Sequence, residues 1–577
     1  MPQVQRSCGG VNMKPAGALL FFRFRGARSV VAAASITVAF ACLSVAMVSR
    51  TRAAAQTTTS ACTPGTLVTI DSGPVCGLTA NGVTSYLGVP FAAPPVGARR
   101  WQAPAPASPW TATLQATAAG PNCPQPPYPP GAPPSAAMNE DCLTLNIHVP
   151  MNAGPALPVM VEIHGGGFVI GTPPNGAHVA EAGRVIMVAI HYRLGILGFL
   201  VDRFLGERSG DYGLQDQQAA LRWVQRNIAR FGGDPNNVTL FGQSAGGSSV
   251  CAAAVSPTAQ GLFQKGISES GIYNYNVDRI WAARTDCKSE LLSEAQAQQL
   301  GDAFATKVGC GSAKDVAACL RALPAQTLVD NGGQVGTPNA GGAIGPTINA
   351  AILPLSPAKA FRSGQMLNKI ALMFGVTRDE FNGGLYTLFT AKTPDEYREL
   401  LQQQFGAQTS KVMELYPLSR FPNSSPFIAQ RTVMADAFSV CPALTTHLQL
   451  SKHFSVFAFE NDNATAPQTA AARQLGLPLG SFHNGENPFL FPPAGLALDP
   501  NQAAFGDQVV SQWAGFARTG DPTVDGAPSW PLYNKGRLVM SLVPAGNSTL
   551  IPSATLNMQH NCDFWNNVNR VAPWAVP

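Results

Sequence analysis

Gly242-Gln243-Ser244-Ala245-Gly246 sets a serine between two glycines in the G-x-S-x-G spacing. It follows the apolar run Val238-Thr239-Leu240-Phe241 and precedes a small-residue stretch suited to a helix. A serine on a sharp strand-to-helix turn needs small neighbours, because its backbone is strained and adjacent side chains would collide. The turn lifts the hydroxyl above a sheet and sets the Ala245 N–H at a helix N-terminus, where negative charge is stabilised. His164-Gly165-Gly166-Gly167-Phe168 is a second signal. Three successive glycines cost backbone entropy, and make sense where main chain must approach a ligand and offer bare N–H groups. A serine hydroxyl is a weak nucleophile and needs a base oriented by an acid. Of eight histidines, His178 and His191 lie near the glycine run, but His483, in Gly480-Ser481-Phe482-His483-Asn484-Gly485-Glu486, is the better candidate base. Asp379-Glu380 follows an apolar strand and supplies the acid. Carboxylates at the C-terminal ends of parallel strands are where such sheets keep active groups.

The elements around these residues alternate. Residues 143–149, 159–164, 184–190, 238–241 and 370–376 are predicted strands, and 216–231 and 245–254 have helical composition or spacing. That pattern implies an α/β fold, a mostly parallel sheet covered on both faces. Strands at 68–70 and 83–87 are expected around an Asn81-Gly82 turn. The Pro-rich segment 121–135 reads as a loop closed by Cys123–Cys142, and 330–345 as a mobile loop. No repeat with a period of 20–50 residues is visible.

The chain has 577 residues, 12% of them charged and 45% hydrophobic, which excludes disorder as the main state. Its net charge of +5 comes from the start. Residues 1–55 hold seven Arg or Lys and no acid, and without them the charge is −2. A nucleic-acid partner, which needs a basic patch in the folded part, is therefore not expected. Arg23, Arg25 and Arg28, the apolar run 29–48 and Ala53-Ala54-Ala55 read as a signal peptide cleaved after Ala55. This leaves 56–577 as an exported mature domain, periplasmic or extracellular, without a membrane span; an uncleaved leader would anchor it instead. Ten cysteines remain, and an oxidising destination favours disulfides. Cys62 with Cys76, Cys123 with Cys142, and Cys310 with Cys319 form short-range sets, whereas Cys441 and Cys562 stand far apart. With no C-x2-C pair in the chain, structural zinc is not expected.

Together these residues resemble the type-B carboxylesterases, the cholinesterase-containing group of the α/β-hydrolases, from about Thr66 to Asn569. Glu140-Asp141-Cys142-Leu143-Thr144-Leu145-Asn146-Ile147, Phe231-Gly232-Gly233-Asp234-Pro235 through Gly246, Tyr86-Leu87-Gly88-Val89-Pro90-Phe91-Ala92 and Gly375-Val376-Thr377-Arg378-Asp379-Glu380 carry the likeness. The resemblance implies an α/β-hydrolase fold with long loop and helical insertions. It makes Ser244 the nucleophile, Glu380 the acid and His483 the base, with Gly166, Gly167 and Ala245 as oxyanion donors. It also implies disulfides Cys123–Cys142, Cys310–Cys319 and Cys441–Cys562, an Arg100–Glu140 ion pair and a serine, Ser270, near the acid. Cys62–Cys76 is a pairing proposed from this sequence alone, and Cys251 and Cys287 are left free or bridged. Two departures stand out. Gln243 replaces the Glu that commonly precedes the nucleophile, and the 123–142 loop lacks the Trp with which cholinesterases hold a quaternary ammonium. Both argue against choline esters.

The expected chemistry is hydrolysis of a small-molecule carboxylic ester through an acyl-enzyme, with no metal or organic cofactor. A silent adhesion ectodomain on the same fold is the alternative from another class; lipase, amidase and lactonase variants are alternatives within hydrolases. The Phe-rich segment 482–491 suits either an apolar acyl pocket or plain core. Substrate and oligomeric state are not legible.

Overall fold

The computed structural model describes residues 62–127, 138–206, 209–273, 287–333, 345–365, 368–382, 390–468 and 479–571. The leader at 1–55, most of the Pro-rich loop and positions 334–344 lie outside the described residues. All that follows concerns the unit Ala61–Pro577.

Three short strands, β1 (Leu67–Ile70), β2 (Gly73–Cys76) and β5 (Leu114–Gln115), make a small sheet. The large sheet has eleven strands among the described residues: β3 (Leu78–Ala80), β4 (Val83–Pro90), β6 (Thr144–Pro150), β7 (Leu157–Ile163), β8 (Ile186–Ile190), β9 (Gly233–Gln243), β10 (Lys265–Glu269), β11 (Ala371–Thr377), β12 (Val456–Asn461), β13 (Leu538–Leu542) and β14 (Thr549–Pro552). Their order is β14-β13-β12-β11-β10-β9-β7-β8-β6-β4-β3. From β13 to β8 every neighbouring pair is parallel, and the pairs outside that run are antiparallel.

Strands covered on both faces read as continuous apolar runs. Ile186–Ile190 and Val456–Asn461 are buried at every position. One face carries a core that includes Val161, Leu240, Leu372 and the helix Ala245–Val255; the other includes Met160, Phe241, Met373 and Trp513 of the helix Pro500–Thr519. The alternation along each strand decides which side chain serves which core.

Three expectations change. The Asn81-Gly82 turn joins β3 to β4, whereas residues 68–70 belong to β1 and pair with β2. Arg184 is not in a strand; with φ 52° it closes the helix Ala177–Gly183 in the left-handed conformation. Residues 330 and 331, read as loop, end the helix Ala325–Asn331. Among the described residues, no helix is long and apolar enough to cross a membrane.

Candidate active site

The C-terminal ends of β7, β9, β10 and β11 converge on one site. β9 runs straight into the helix Ala245–Val255, and Ser244 is the joint, with φ 61° and ψ −123°. Such a φ is strained for a residue with a Cβ. Its N–H donates to Glu269 O on β10 at 2.8 Å, and its carbonyl accepts Ser248 N–H at 2.9 Å, starting the helix. Close approach explains both flanking glycines. A Cβ on Gly242 or on Gly246 would press into the Ile163 carbonyl at the end of β7. All eleven residues of the helix are buried, so small side chains let it lie against the sheet.

His164 to Gly171 leave β7 as a tight turn over the serine. A Cβ on Gly165 would stand 3.0 Å from Ser244 Cβ. Gly166 and Gly167 take φ of 107° and 62°, and Val169 and Ile170 both return N–H bonds to Gly166 O at 3.1 Å. Tyr192 donates its hydroxyl to His164 O at 2.9 Å and stacks on the imidazole. Gly166, Gly167 and Ala245 therefore sit on the two backbone segments that flank Ser244.

Glu380 follows β11 and is fully buried. Oε2 accepts Ser270 Oγ at 2.9 Å, Thr377 N–H at 3.0 Å and Thr377 Oγ1 at 2.6 Å. Oε1 accepts the Tyr273 hydroxyl at 2.6 Å and bonds His483 Nδ1. Burial pushes this carboxyl up, but the His483 charge and hydrogen bond, with Thr377 and Tyr273, outweigh it and hold it below the ordinary value. His483 shows the converse balance: burial pulls the imidazole down, and the Glu380 charge and hydrogen bond bring it above 6.5. The histidine loop is clipped to the acid loop through main chain. Asp379 N–H donates to Ser481 O at 2.9 Å, and His483 N–H donates to Glu380 O at 3.2 Å. Gly480, at φ 66°, lies where a Cβ would strike the Asp379 carboxylate. The second imidazole nitrogen, Nε2, is 3.3 Å from the amide nitrogen of Gln243, the residue before Ser244.

Of the other histidines considered, His191 lies 3.2 Å from Thr144 Oγ1, with burial lowering it to about 4, and His178 lies on the helix Ala177–Gly183. Ser270 is bonded to the acid, and Arg100 makes a two-pronged ion pair with Glu140 at 2.7 and 2.6 Å. Cysteine bridges join 62 to 76, 123 to 142, 310 to 319 and 441 to 562, and Cys251 is bridged to Cys287. The Phe-rich segment is core at Phe482 and Phe489, the latter edge-on to Phe505 at 5.1 Å. Among the described residues, no cluster of three His, Cys, Asp or Glu could hold a metal. Sequence reasoning missed Thr377 and Tyr273 as partners of the acid. Thr377 is three residues from Glu380, a local signal; Tyr273 follows β10, and nothing local says that β10 lies beside β11.

A largely parallel sheet covered on both faces, with a strained serine between β9 and its helix and a buried Glu–His pair joining the turn after β11 to the loop between β12 and β13, defines an α/β-hydrolase. The Carboxylesterase family model matches residues 64–565. The para-nitrobenzyl esterase of Bacillus subtilis (strain 168) is 34% identical over 491 residues, covering 81% of this chain and 93% of that one. The cocaine esterase of Homo sapiens is 31% identical over 521 residues, covering 84% and 87%. A solved PNB esterase superposes with a TM-score of 0.69 at 31% identity, covering 86% of this chain and 99% of the other. The chain belongs to the carboxylesterase family and is a carboxylic ester hydrolase.

Proposed function

We propose that the protein is an exported serine esterase that hydrolyses neutral small-molecule esters through an acyl-enzyme on Ser244. The Glu380–His483 bond beside the strained serine turn carries this reading. With Nδ1 committed to Glu380, Nε2 is the nitrogen that takes the Ser244 proton as Oγ attacks the ester carbonyl. Glu380 holds the tautomer and stabilises the imidazolium. The N–H groups of Gly166, Gly167 and Ala245 receive the oxyanion, each such donor being worth about 3–4 kcal/mol of barrier. His483 then protonates the leaving alcohol, and water repeats the attack on the acyl-enzyme.

Neutral substrates follow from Gln243, whose uncharged amide lies against His483 where a carboxylate would attract a cation. The Bacillus subtilis relative is named for para-nitrobenzyl esters, which are the first substrates to try. Export is supported by the basic and apolar leader at 1–55, which precedes the enzyme domain at 56–577, and by the five bridges.

A covalent serine probe followed by peptide mapping tests the site. The expected adduct lies on Ser244, and Ser244→Ala, still folded, loses both the adduct and turnover of a short-chain p-nitrophenyl ester. Turnover retained in that variant overturns the assignment.

A further inference from the structure

The side chain of Gln125 belongs to none of the groups above, yet it is 92% buried and its amide is tied at three points. Nε2 donates to Cys123 O at 3.1 Å and to Gly171 O at 2.9 Å, and Oε1 accepts Gly171 N–H at 2.8 Å. The two bonds to Gly171 grip both polar groups of one residue, much as a neighbouring strand would. Gly171 closes the glycine turn. Its φ is 134°, and a Cβ there would collide with the His164 ring and the Gly165 carbonyl. It therefore lies against the two residues that precede Gly166. On the other side of the amide, Cys123 is bridged to Cys142, and Asn122 accepts the Thr172 hydroxyl at 2.8 Å.

We infer that Gln125 is a positioning residue of the oxyanion turn, through which the loop closed by Cys123–Cys142 holds Gly171 and hence the N–H groups of Gly166 and Gly167 in place. This rests on the reading of those two glycines as oxyanion donors. Three glycines in succession give the turn little stiffness of its own, so an external brace sets its geometry. Donors must stand within about 0.5 Å of the productive position, and a misplacement of about 1 Å costs on the order of 100-fold. Gln125 touches no reacting atom. Its effect falls on the transition state, where charge develops on the carbonyl oxygen, more than on substrate binding.

The test compares wild type, Gln125→Met, which keeps the volume and removes all three bonds, and Gln125→Glu, which keeps the acceptor for Gly171 N–H. Ser244→Ala serves as the control for the site itself. kcat and KM for p-nitrophenyl acetate, affinity for an aryl trifluoromethyl ketone and thermal melting are read for each. Gln125→Met is expected to lower kcat by about 10- to 100-fold with KM within about twofold, and to weaken the ketone, which forms an oxyanion when bound, by a similar factor. Gln125→Glu is expected to fall between Met and wild type, and it carries the test alone if the Met variant does not fold. Unchanged kcat and ketone affinity overturn the inference. So does a fall in melting temperature with ketone affinity intact, since that is a merely structural role. Turnover retained in Ser244→Ala overturns instead the reading of the site, so the two failures are distinct.

Discussion

The carboxylate of Asp379 accepts the backbone N–H of Ser481 at 2.9 Å, while Glu380, the next residue, holds the ring of His483. Two adjacent acids divide the work of placing one imidazole, one through main chain and one through side chain. Glu380→Gln removes the charge that stabilises the imidazolium and is expected to lower kcat/KM by about 10³- to 10⁴-fold. Asp379→Asn keeps an oxygen for Ser481 N–H and is expected to cost about tenfold or less. Steady-state kinetics on a p-nitrophenyl ester compares them; equal losses would mean that both carboxylates act directly on the base.

The pH profile follows from the same pair. The base must be neutral, so activity falls as pH drops through the imidazole pKa. Glu380 places that pKa above 6.5 despite burial. The acid limb of kcat/KM is therefore expected above the ordinary histidine value. In Glu380→Gln it is expected to move down, because burial is then opposed only by the charge of Glu486. A plot of kcat/KM from about pH 5 to about pH 9 for both proteins checks the sign.

Close approach at the serine turn leaves no room at Gly246. A Cβ there meets the backbone carbonyl of Ile163, which cannot rotate away. Gly246→Ala is expected to cost about 1–3 kcal/mol or to prevent folding. Gly506 is the contrast: it lies inside the helix Pro500–Thr519, with its nearest new contact at 3.6 Å from Phe489 Cβ. Gly506→Ala is expected to add about 0.5–1 kcal/mol, since alanine loses less backbone entropy in a helix. Denaturant unfolding with the disulfides intact measures both.

A buried histidine far along the chain makes the fold itself pH-sensitive. His560 Nδ1 is 2.6 Å from Asp436 Oδ1, and Nε2 is 3.3 Å from Glu460 Oε1. Burial would depress it, but the two carboxylates raise it to about 10, well above its ordinary 6.5. A folded-state pKa above the unfolded one gives stability that is complete below about 6.5 and is lost as pH rises through about 10, at roughly 1.4 kcal/mol per pH unit. His560→Gln is expected to be most damaging near pH 6 and to approach wild type near pH 10. Unfolding curves at about pH 6, 8 and 10 give the difference; a gap that widens with pH would contradict it.

Some parts of this arrangement are local, and the sequence by itself determined them. The Gly242–Gly246 spacing after Val238 to Phe241 specifies a strand, a strained serine and a helix, because only glycine tolerates the approach of Ile163. The apolar runs at 184–190 and 370–376 announce strands, the second of them buried, because a polar residue in the core would lose its water. His483 and Glu380 are visible as candidates by type and place in the chain. Tertiary structure decided the rest, because it depends on which strands become neighbours. The order β9, β10, β11 brings Ser270 and Tyr273 to Glu380, and no local pattern encodes that order. Strands β10 and β12 escaped the sequence reading, short segments whose partners lie distant in the chain, as did the edge pair β13 and β14. Gln125 is the plainest case: a lone amide in a Pro-rich stretch acquires its role only when it comes to lie against Gly171, 46 residues away, and satisfies polar groups that water can no longer reach.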